Sequence, residues 1–106
     1  MAAEKGNDPL QSIKLLTRFE GPDAQATEAF LLRLQAVRAS VREEPGHVAY
    51  ELYRSRDQST VLFVLEEWRT QKDADLHVAA ATTGEEARSA LALLSTPPIT
   101  ISLVAC

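Results

Sequence analysis

The chain has 106 residues, 45% apolar and 25% charged, and its formal net charge is −4. This size and balance are typical of one globular domain, and scattered Lys and Arg in an acidic chain argue against a nucleic-acid partner. No apolar run approaches the roughly 20 residues that cross a bilayer, so we expect no membrane association. The single cysteine, Cys106, cannot form an intramolecular disulfide, which favours a cytoplasmic location.

The N-terminal segment lacks the apolar stretch of a secretory signal, and we predict a disordered lead-in at 1–11. A single folded domain is predicted over 12–106. Its first strand is predicted at 12–19, because one face is mainly apolar and alternates with a face that carries Lys14 and Arg18. The first face consists of Ile13, Leu15, Thr17 and Phe19.

A long helix is predicted at 24–43, where apolar residues recur every three or four positions. They are Phe30, Leu34, Val37 and Val41, and the residues left for solvent include Glu28, Arg33, Arg38 and Arg42. Pro22 or Asp23 suits the helix start, because proline loses no needed N–H there and aspartate can cap free donors. Glu44-Pro45-Gly46 ends the helix, since Pro-Gly suits a type II turn.

The second half of the chain is predicted to contain three strands and two short helices. Strands at 47–54 and 60–68 are joined by a polar loop and form a hairpin. Thr70 and Asp73 have the spacing of a capping box, which predicts a helix from 70 to about 81. Thr83-Gly84-Glu85-Glu86 repeats this signal for a helix at 83–94, Pro97-Pro98 stops it, and a last strand follows at 99–105.

This order predicts an α+β, ferredoxin-like βαββαβ fold, with a four-stranded antiparallel sheet and helices on one face. The other face of such a sheet should be polar, yet the strand at 60–68 is apolar on both faces from Val61 to Leu65. The simplest cover for the second face is another copy of the sheet, because two-fold dimers are the commonest oligomers. We therefore predict a homodimer whose sheets pack face to face.

Four short motifs occur in order along the chain: Glu44-Pro45-Gly46, Tyr50-Glu51-Leu52-Tyr53, Glu66-Glu67-Trp68 and Asp75-Leu76-His77. Together they resemble the antibiotic biosynthesis monooxygenase (ABM) domain family over about residues 12–105. The resemblance implies a dimeric α+β barrel. It also implies a range of activities, from cofactor-independent oxygenation of quinols or polycyclic aromatic molecules to haem degradation and isomerisation of small metabolites.

Trp68 and Glu66 are two residues apart on a strand, so they share a face with Val64 and Leu62. The resemblance implies that Trp68 lines a substrate pocket between sheet and helices, with Val64, Leu62 and Tyr50 as further contacts to a small aromatic molecule. The alternative for Trp68 is a core residue whose N–H meets a backbone partner. Tyr50 is equally consistent with a packed ring whose hydroxyl lies at a rim.

His77 and Glu66 are the candidate catalytic residues. A neutral imidazole can accept a phenolic proton, and a desolvated glutamate with a raised pKa can do the same. Each also has a structural interpretation: His77 as a helix histidine bonded to a neighbour, and Glu66 as the partner of an arginine or a backbone group.

The leading hypothesis is a cofactor-independent monooxygenase whose substrate, once deprotonated, reduces O2 directly. Two departures from the family pattern favour a non-catalytic ligand-binding or dimerising module instead. Thr82 stands where several relatives carry a second histidine, and Val64 stands where a pocket asparagine would be expected. A third possibility is haem binding through His77, because a histidine in this region is the iron ligand in haem-binding relatives.

Overall fold

A computed structural model of the protein describes residues 12–106, so the predicted lead-in at 1–11 lies outside the described residues. The four-stranded antiparallel sheet with helices, in the ferredoxin-like order predicted from the sequence, is confirmed. The elements are β1 (Ile13–Glu20), α1 (Ala24–Val41), β2 (His47–Arg54), β3 (Val61–Trp68), α2 (Gln71–Thr82), α3 (Glu85–Leu91) and β4 (Ile99–Leu103). No helix among the described residues is long and apolar enough to cross a membrane.

The strand register decides which side chains lie beneath the helices. The strands run in the order β2-β3-β1-β4. Leu15 of β1 pairs with Glu66 of β3, and Thr17 pairs with Val64 on one side and Thr100 on the other. Because side chains alternate between the two faces of a strand, these residues all lie on the helix-covered face.

Local hydrogen bonds fix the start of α1 and α2. Asp23 accepts a hydrogen bond from the Ala26 backbone N–H at 2.8 Å, as expected for an N-cap. Thr70 accepts one from the Asp73 N–H at 3.1 Å. The Asp73 carboxylate accepts from the Thr70 hydroxyl at 2.9 Å, instead of reaching back to the backbone as a full capping box does.

The predicted end of α1 and the predicted start of α3 are wrong by one or two residues. Helix α1 ends at Val41, two residues before the predicted end at 43. Thr83 does not cap α3, because its hydroxyl donates to the Ala79 carbonyl of the preceding helix at 2.9 Å. Gly84 is the N-cap instead, with φ 93° and no side-chain hydrogen bond, a backbone conformation that glycine adopts at little cost.

The core lies between the sheet and the helices. Trp68 and Val41 are fully buried there, and Val64 and Leu62 are nearly so. Burial of each such aliphatic side chain stabilises the fold by roughly 1.5–3 kcal/mol.

The opposite side of the sheet, which we call the open face, carries a band of apolar residues between the charged residues Lys14 and Arg18 of β1. Ile99, Ile101 and Leu103 of β4 are 56%, 53% and 40% exposed. Ile101 pairs with Leu16, which pairs in turn with Leu65, so these three form one apolar row across the open face. Phe63 and Leu65 are only partly buried, so the second apolar face of β3 is not fully covered within one chain.

Candidate functional site

His77 lies flat against Trp68 under the helices. The two rings are stacked, with centroids 4.7 Å apart and planes 28° from parallel. Helix α2 carries His77 back over the end of β3, where Trp68 is the last residue. His77 is 4% exposed. A buried aromatic surface on one side holds the imidazole in a single orientation.

The carboxyl group of Glu66 joins this pair. Its Oε1 atom accepts a hydrogen bond from the indole N–H of Trp68 at 2.9 Å, and it lies 3.6 Å from Nε2 of His77. Burial raises the pKa of Glu66, and the Trp68 hydrogen bond and the nearby His77 oppose that shift. The indole N–H of Trp68 therefore donates to a side chain. It does not donate to the backbone, as was expected if Trp68 were only a core residue.

Glu44, at the turn after α1, holds the other ring nitrogen of His77. Its Oε1 atom lies 2.8 Å from Nδ1. A carboxylate oxygen accepts hydrogen bonds, so this contact favours a proton on Nδ1, and in the neutral ring Nε2 then has the lone pair. From the sequence, Glu44 was expected only to end the helix. The Glu44-Pro45-Gly46 motif was the signal that could have identified it as a site residue.

A cavity of about 130 Å³ opens beside this cluster, between the helix-covered face of the sheet and the three helices. Three of the predicted site residues line it: Glu66, His77 and Tyr50. The other three, Trp68, Val64 and Leu62, are buried and are not among the lining residues. The structure thus places Trp68 behind the wall, where it supports His77 and Glu66.

Most of the cavity wall is apolar. Phe19 of β1 and Phe30 of α1 form part of it, with ring centroids 4.8 Å apart. Further along the wall lie the apolar residues Leu34, Val37, Val78 and Leu91. Such a surface favours an apolar or aromatic molecule.

Two threonines add a polar spot that sequence reasoning missed. The hydroxyls of Thr17 and Thr100 lie 3.0 Å apart across β1 and β4, and both residues line the cavity. One hydroxyl donates to the other, which leaves the second hydroxyl with a hydrogen for a ligand. Alternation along β1 placed Thr17 on the apolar face, but only the register shows that Thr100 meets it.

Arg33 corrects one prediction from the helical pattern. It was expected in solvent, but it lines the cavity and its side chain is only 35% exposed. Its Nη1 atom lies 3.6 Å from a carboxylate oxygen of Glu86 on α3. Arg33 immediately precedes Leu34 on the buried stripe, and long side chains at such border positions lie along apolar surface. Its positive charge acts on the Tyr50 phenol in the cavity wall.

Tyr50 contributes a buried phenol to the wall. It is 9% exposed, and its ring lies edge-on to His77 with centroids 6.0 Å apart. Burial, helped by the charges of Glu66 and Glu44, raises the pKa of Tyr50 well above its ordinary value. The hydroxyl therefore keeps its proton near neutral pH and can donate to a ligand.

The cluster does not fit a haem or a bound metal. The enclosed space is close to the size that holds one benzene ring, and a porphyrin does not fit within it. Within residues 12–106, no group of three or more His, Cys, Asp or Glu side chains is arranged to hold a metal ion.

Solved structures with this architecture come from several organisms. A conserved protein from Methanosarcina mazei Go1 superposes with a TM-score of 0.73 at 15% identity, over 90% of this chain and 93% of that one. Rv0793 from Mycobacterium tuberculosis gives 0.72 at 24% identity, over 90% and 95%. The ActVA-Orf6 monooxygenase of Streptomyces coelicolor, in complex with nanaomycin D, gives 0.69 at 22% identity, over 96% and 94%.

Sequence comparison gives a more specific result. No sequence among curated proteins is significantly similar to this chain. The family model described as "Antibiotic biosynthesis monooxygenase" matches residues 12–85, which include Glu44, Glu66, Trp68 and His77. The resemblance noted from the four motifs is therefore confirmed: this chain belongs to the antibiotic biosynthesis monooxygenase family.

Proposed function

We propose that this chain is a cofactor-independent monooxygenase that acts on a hydroxylated aromatic molecule, either a quinol or a polycyclic phenol. One observation carries the proposal. A histidine whose Nδ1 atom contacts the Glu44 carboxylate lines an apolar cavity and has a buried carboxyl group 3.6 Å from its Nε2 atom. This is the arrangement that a base for a phenolic proton needs.

The first step is proton transfer to Nε2 of His77. Glu44 keeps the proton on Nδ1, so the Nε2 lone pair is free to accept. The imidazolium that forms is stabilised by the Trp68 ring stacked beneath it. It is also stabilised by the negative charge of Glu44 and by the carboxyl oxygen of Glu66. A positioned base of this kind accelerates proton transfer by roughly 10²–10⁴.

The remaining steps need only O2. The phenolate gives one electron to O2, and the resulting radical and superoxide combine to form a carbon–oxygen bond. His77 returns its proton to the peroxide. Loss of the ring C–H proton then breaks the O–O bond, and a C=O group and water form. One hydroquinone and one O2 thus give one hydroxyquinone and one water, with the electrons supplied by the substrate.

One of the structural neighbours is a monooxygenase with a bound small molecule. The Streptomyces coelicolor protein is a monooxygenase in complex with nanaomycin D. At 22% identity, that likeness supports a small-molecule ligand and leaves the reaction of this chain as our proposal.

We also propose that the open face packs against the same face of a second copy. Its exposed apolar residues, such as Ile99 and Ile101, form a continuous surface with the partly buried Phe63 and Leu65. Contiguous exposed apolar surface of this kind marks an interaction site. A two-fold axis lets one apolar patch cover itself, which makes a homodimer the simplest assembly.

A second candidate function is a non-catalytic ligand-binding module. Thr82 lines the cavity at the position where several relatives carry a second histidine, and the sequence has no asparagine beyond Asn7. The described cavity therefore offers no side-chain amide to fix O2 or a peroxide. Hydroxyls of Thr17 and Thr100 are the nearest substitutes on its wall.

Oxygen consumption decides between the two functions. The purified protein is mixed with hydroquinones, hydroxynaphthalenes or anthrones in an oxygen electrode, and the products are identified by mass spectrometry. The monooxygenase predicts O2 uptake above the uncatalysed rate and one oxygen atom from ¹⁸O2 in the product. The His77→Ala and His77→Gln variants should lose most of the uptake, while the His47→Gln control should keep it. Uptake that is unchanged in both His77 variants removes the assigned base.

A further inference from the structure

The cavity beside His77 limits the size of the molecule it encloses. Its volume is about 130 Å³, and a protein cavity of roughly 150 Å³ is known to hold a single benzene ring. The surrounding side chains are well packed: Phe30 and Leu34 are 3% and 5% exposed. One ring therefore fits inside, and a second fused ring would extend toward the exposed side of the cavity, where Val78 and Thr82 lie.

Arg33 gives this small cavity a positively charged side. It is the only lysine or arginine among the described residues that line the cavity. Its contact with Glu86 is 3.6 Å long, beyond hydrogen-bond length, and the Glu86 side chain is 86% exposed. Exposed pairs of this kind are weak, so the guanidinium is available to another carboxylate, which it can bind through two parallel hydrogen bonds.

The side chains that can bind a hydroxyl group of the ligand lie on other helices and strands than Arg33. His77 lies on α2, Glu66 on β3 and Tyr50 on β2, whereas Arg33 lies on α1. A ligand that contacts both Arg33 and His77 therefore needs two different polar groups. One meets the guanidinium and the other meets the base, with the ring against Phe19 and Phe30.

We propose that the cavity takes a single-ring phenol that bears a carboxylate, that is, a molecule of the hydroxybenzoate class. Its carboxylate binds Arg33 and its hydroxyl points toward His77. Deprotonation of this hydroxyl by His77 rests on the proposed function. Binding of the ligand does not require the reaction to take place. It makes Arg33 a specificity-determining residue and, of the two substrate classes proposed above, favours single-ring quinols over polycyclic phenols.

Binding is measured by isothermal titration calorimetry under nitrogen, so that no oxygenation occurs. The probes are 2,5-dihydroxybenzoate, neutral hydroquinone, and 1,4-dihydroxy-2-naphthoate as the two-ring carboxylate. We expect 2,5-dihydroxybenzoate to bind at least about tenfold more tightly than either of the others, the ratio that one strong interaction supplies. The Arg33→Gln variant should lose this advantage over hydroquinone, while Arg38→Gln, an exposed arginine on the same helix, should keep it.

Two results would overturn the assignment. One is a two-ring carboxylate that binds as tightly as the one-ring carboxylate. The other is an Arg33→Gln variant that binds 2,5-dihydroxybenzoate as well as the unaltered protein does, with folding verified by circular dichroism. Should Arg33→Gln fail to fold, the preference of the unaltered protein for the one-ring carboxylate, over both other probes, decides the question.

The outcomes separate this inference from the proposed function. Selective binding of 2,5-dihydroxybenzoate without O2 uptake keeps the ligand class and removes the monooxygenase. Uptake with fused-ring quinols, together with no preference for a one-ring carboxylate, keeps the monooxygenase and removes the ligand class.

Discussion

Nδ1 of His77 lies 2.8 Å from Oε1 of Glu44, a residue 33 positions earlier in the chain. This hydrogen bond fixes both the ring orientation and the tautomer of the proposed base. Glu44 does not line the cavity, so it is a positioning residue and not one that touches the substrate.

Replacing Glu44 by alanine should lower kcat and leave KM nearly unchanged. The expected loss is about 10-fold to 100-fold, part of the roughly 10²–10⁴ that a general base supplies. Glu44→Gln, whose amide oxygen can still accept from Nδ1, should recover part of the loss. Nitrogen-15 spectra of the His77 ring should show a mixture of tautomers in Glu44→Ala and one tautomer in the unaltered protein. The exposed neighbour in Glu43→Gln serves as the control, and an equal effect there would contradict the positioning role.

Glu66 should make stability depend on pH in a defined direction. Its pKa in the folded protein is raised above the ordinary glutamate value of 4.5 by burial. Folding therefore favours the protonated form, and this contribution is full below pH 4.5 and is lost as pH rises through the folded-state pKa. In Glu66→Gln the side chain is neutral at every pH, so its free energy of unfolding should fall less than that of the unaltered protein over this window.

Urea unfolding at several pH values from 4.5 to 8 measures this difference. Glu67→Gln is the matched control, because Glu67 is the next residue along β3 and lies on the other face. If Glu67→Gln and Glu66→Gln change the pH dependence equally, burial of Glu66 is not its source.

Trp68 should matter more for stability than any residue that lines the cavity. It is fully buried, stacks on His77 and donates to Glu66. Trp68→Ala should cost about 3–5 kcal/mol of unfolding free energy, as large-to-small core substitutions do. Trp68→Phe should cost less, because it keeps a ring under His77 but loses the N–H donor.

Circular dichroism is the suitable readout, since Trp68 is the single tryptophan and its removal abolishes the usual fluorescence signal. Protein concentration is held constant, because association adds to apparent stability. Leu32→Ala, at a residue 68% exposed, should change stability by less than about 0.5 kcal/mol. A Trp68→Ala variant as stable as Leu32→Ala would refute the assigned role.

The open face should hold two copies together. Ile101→Glu places a charge in the apolar row with Leu16 and Leu65, and a buried, unpaired charge strongly disfavours association. We expect the unaltered protein to sediment as a dimer and Ile101→Glu as a monomer at micromolar concentration. Leu32→Glu makes the same kind of change on α1, at an exposed position away from the open face. It should remain dimeric, and a monomeric unaltered protein would remove the predicted homodimer.

Much of the fold could be predicted from short-range signals. Alternation in β1, the stripe from Phe30 to Val41, and the Asp23 and Thr70 caps each reflect contacts within a few residues. The end of α1 and the cap of α3 were predicted less well. At the start of α3, the Thr83 hydroxyl could either cap that helix or bond to the preceding one, and it donates to the carbonyl of Ala79.

The sequence by itself therefore determined the element order, the helix-covered face of the sheet, and a family motif set that includes Glu66, Trp68 and His77. Only the tertiary structure decided that Glu44 orients His77, that Trp68 lies behind the cavity wall, and that Arg33 borders the cavity. The physical reason is separation along the chain. Periodicity and capping depend on residues three or four positions apart, whereas the contact between His77 and Glu44 forms only when α2 packs over the ends of α1 and β3.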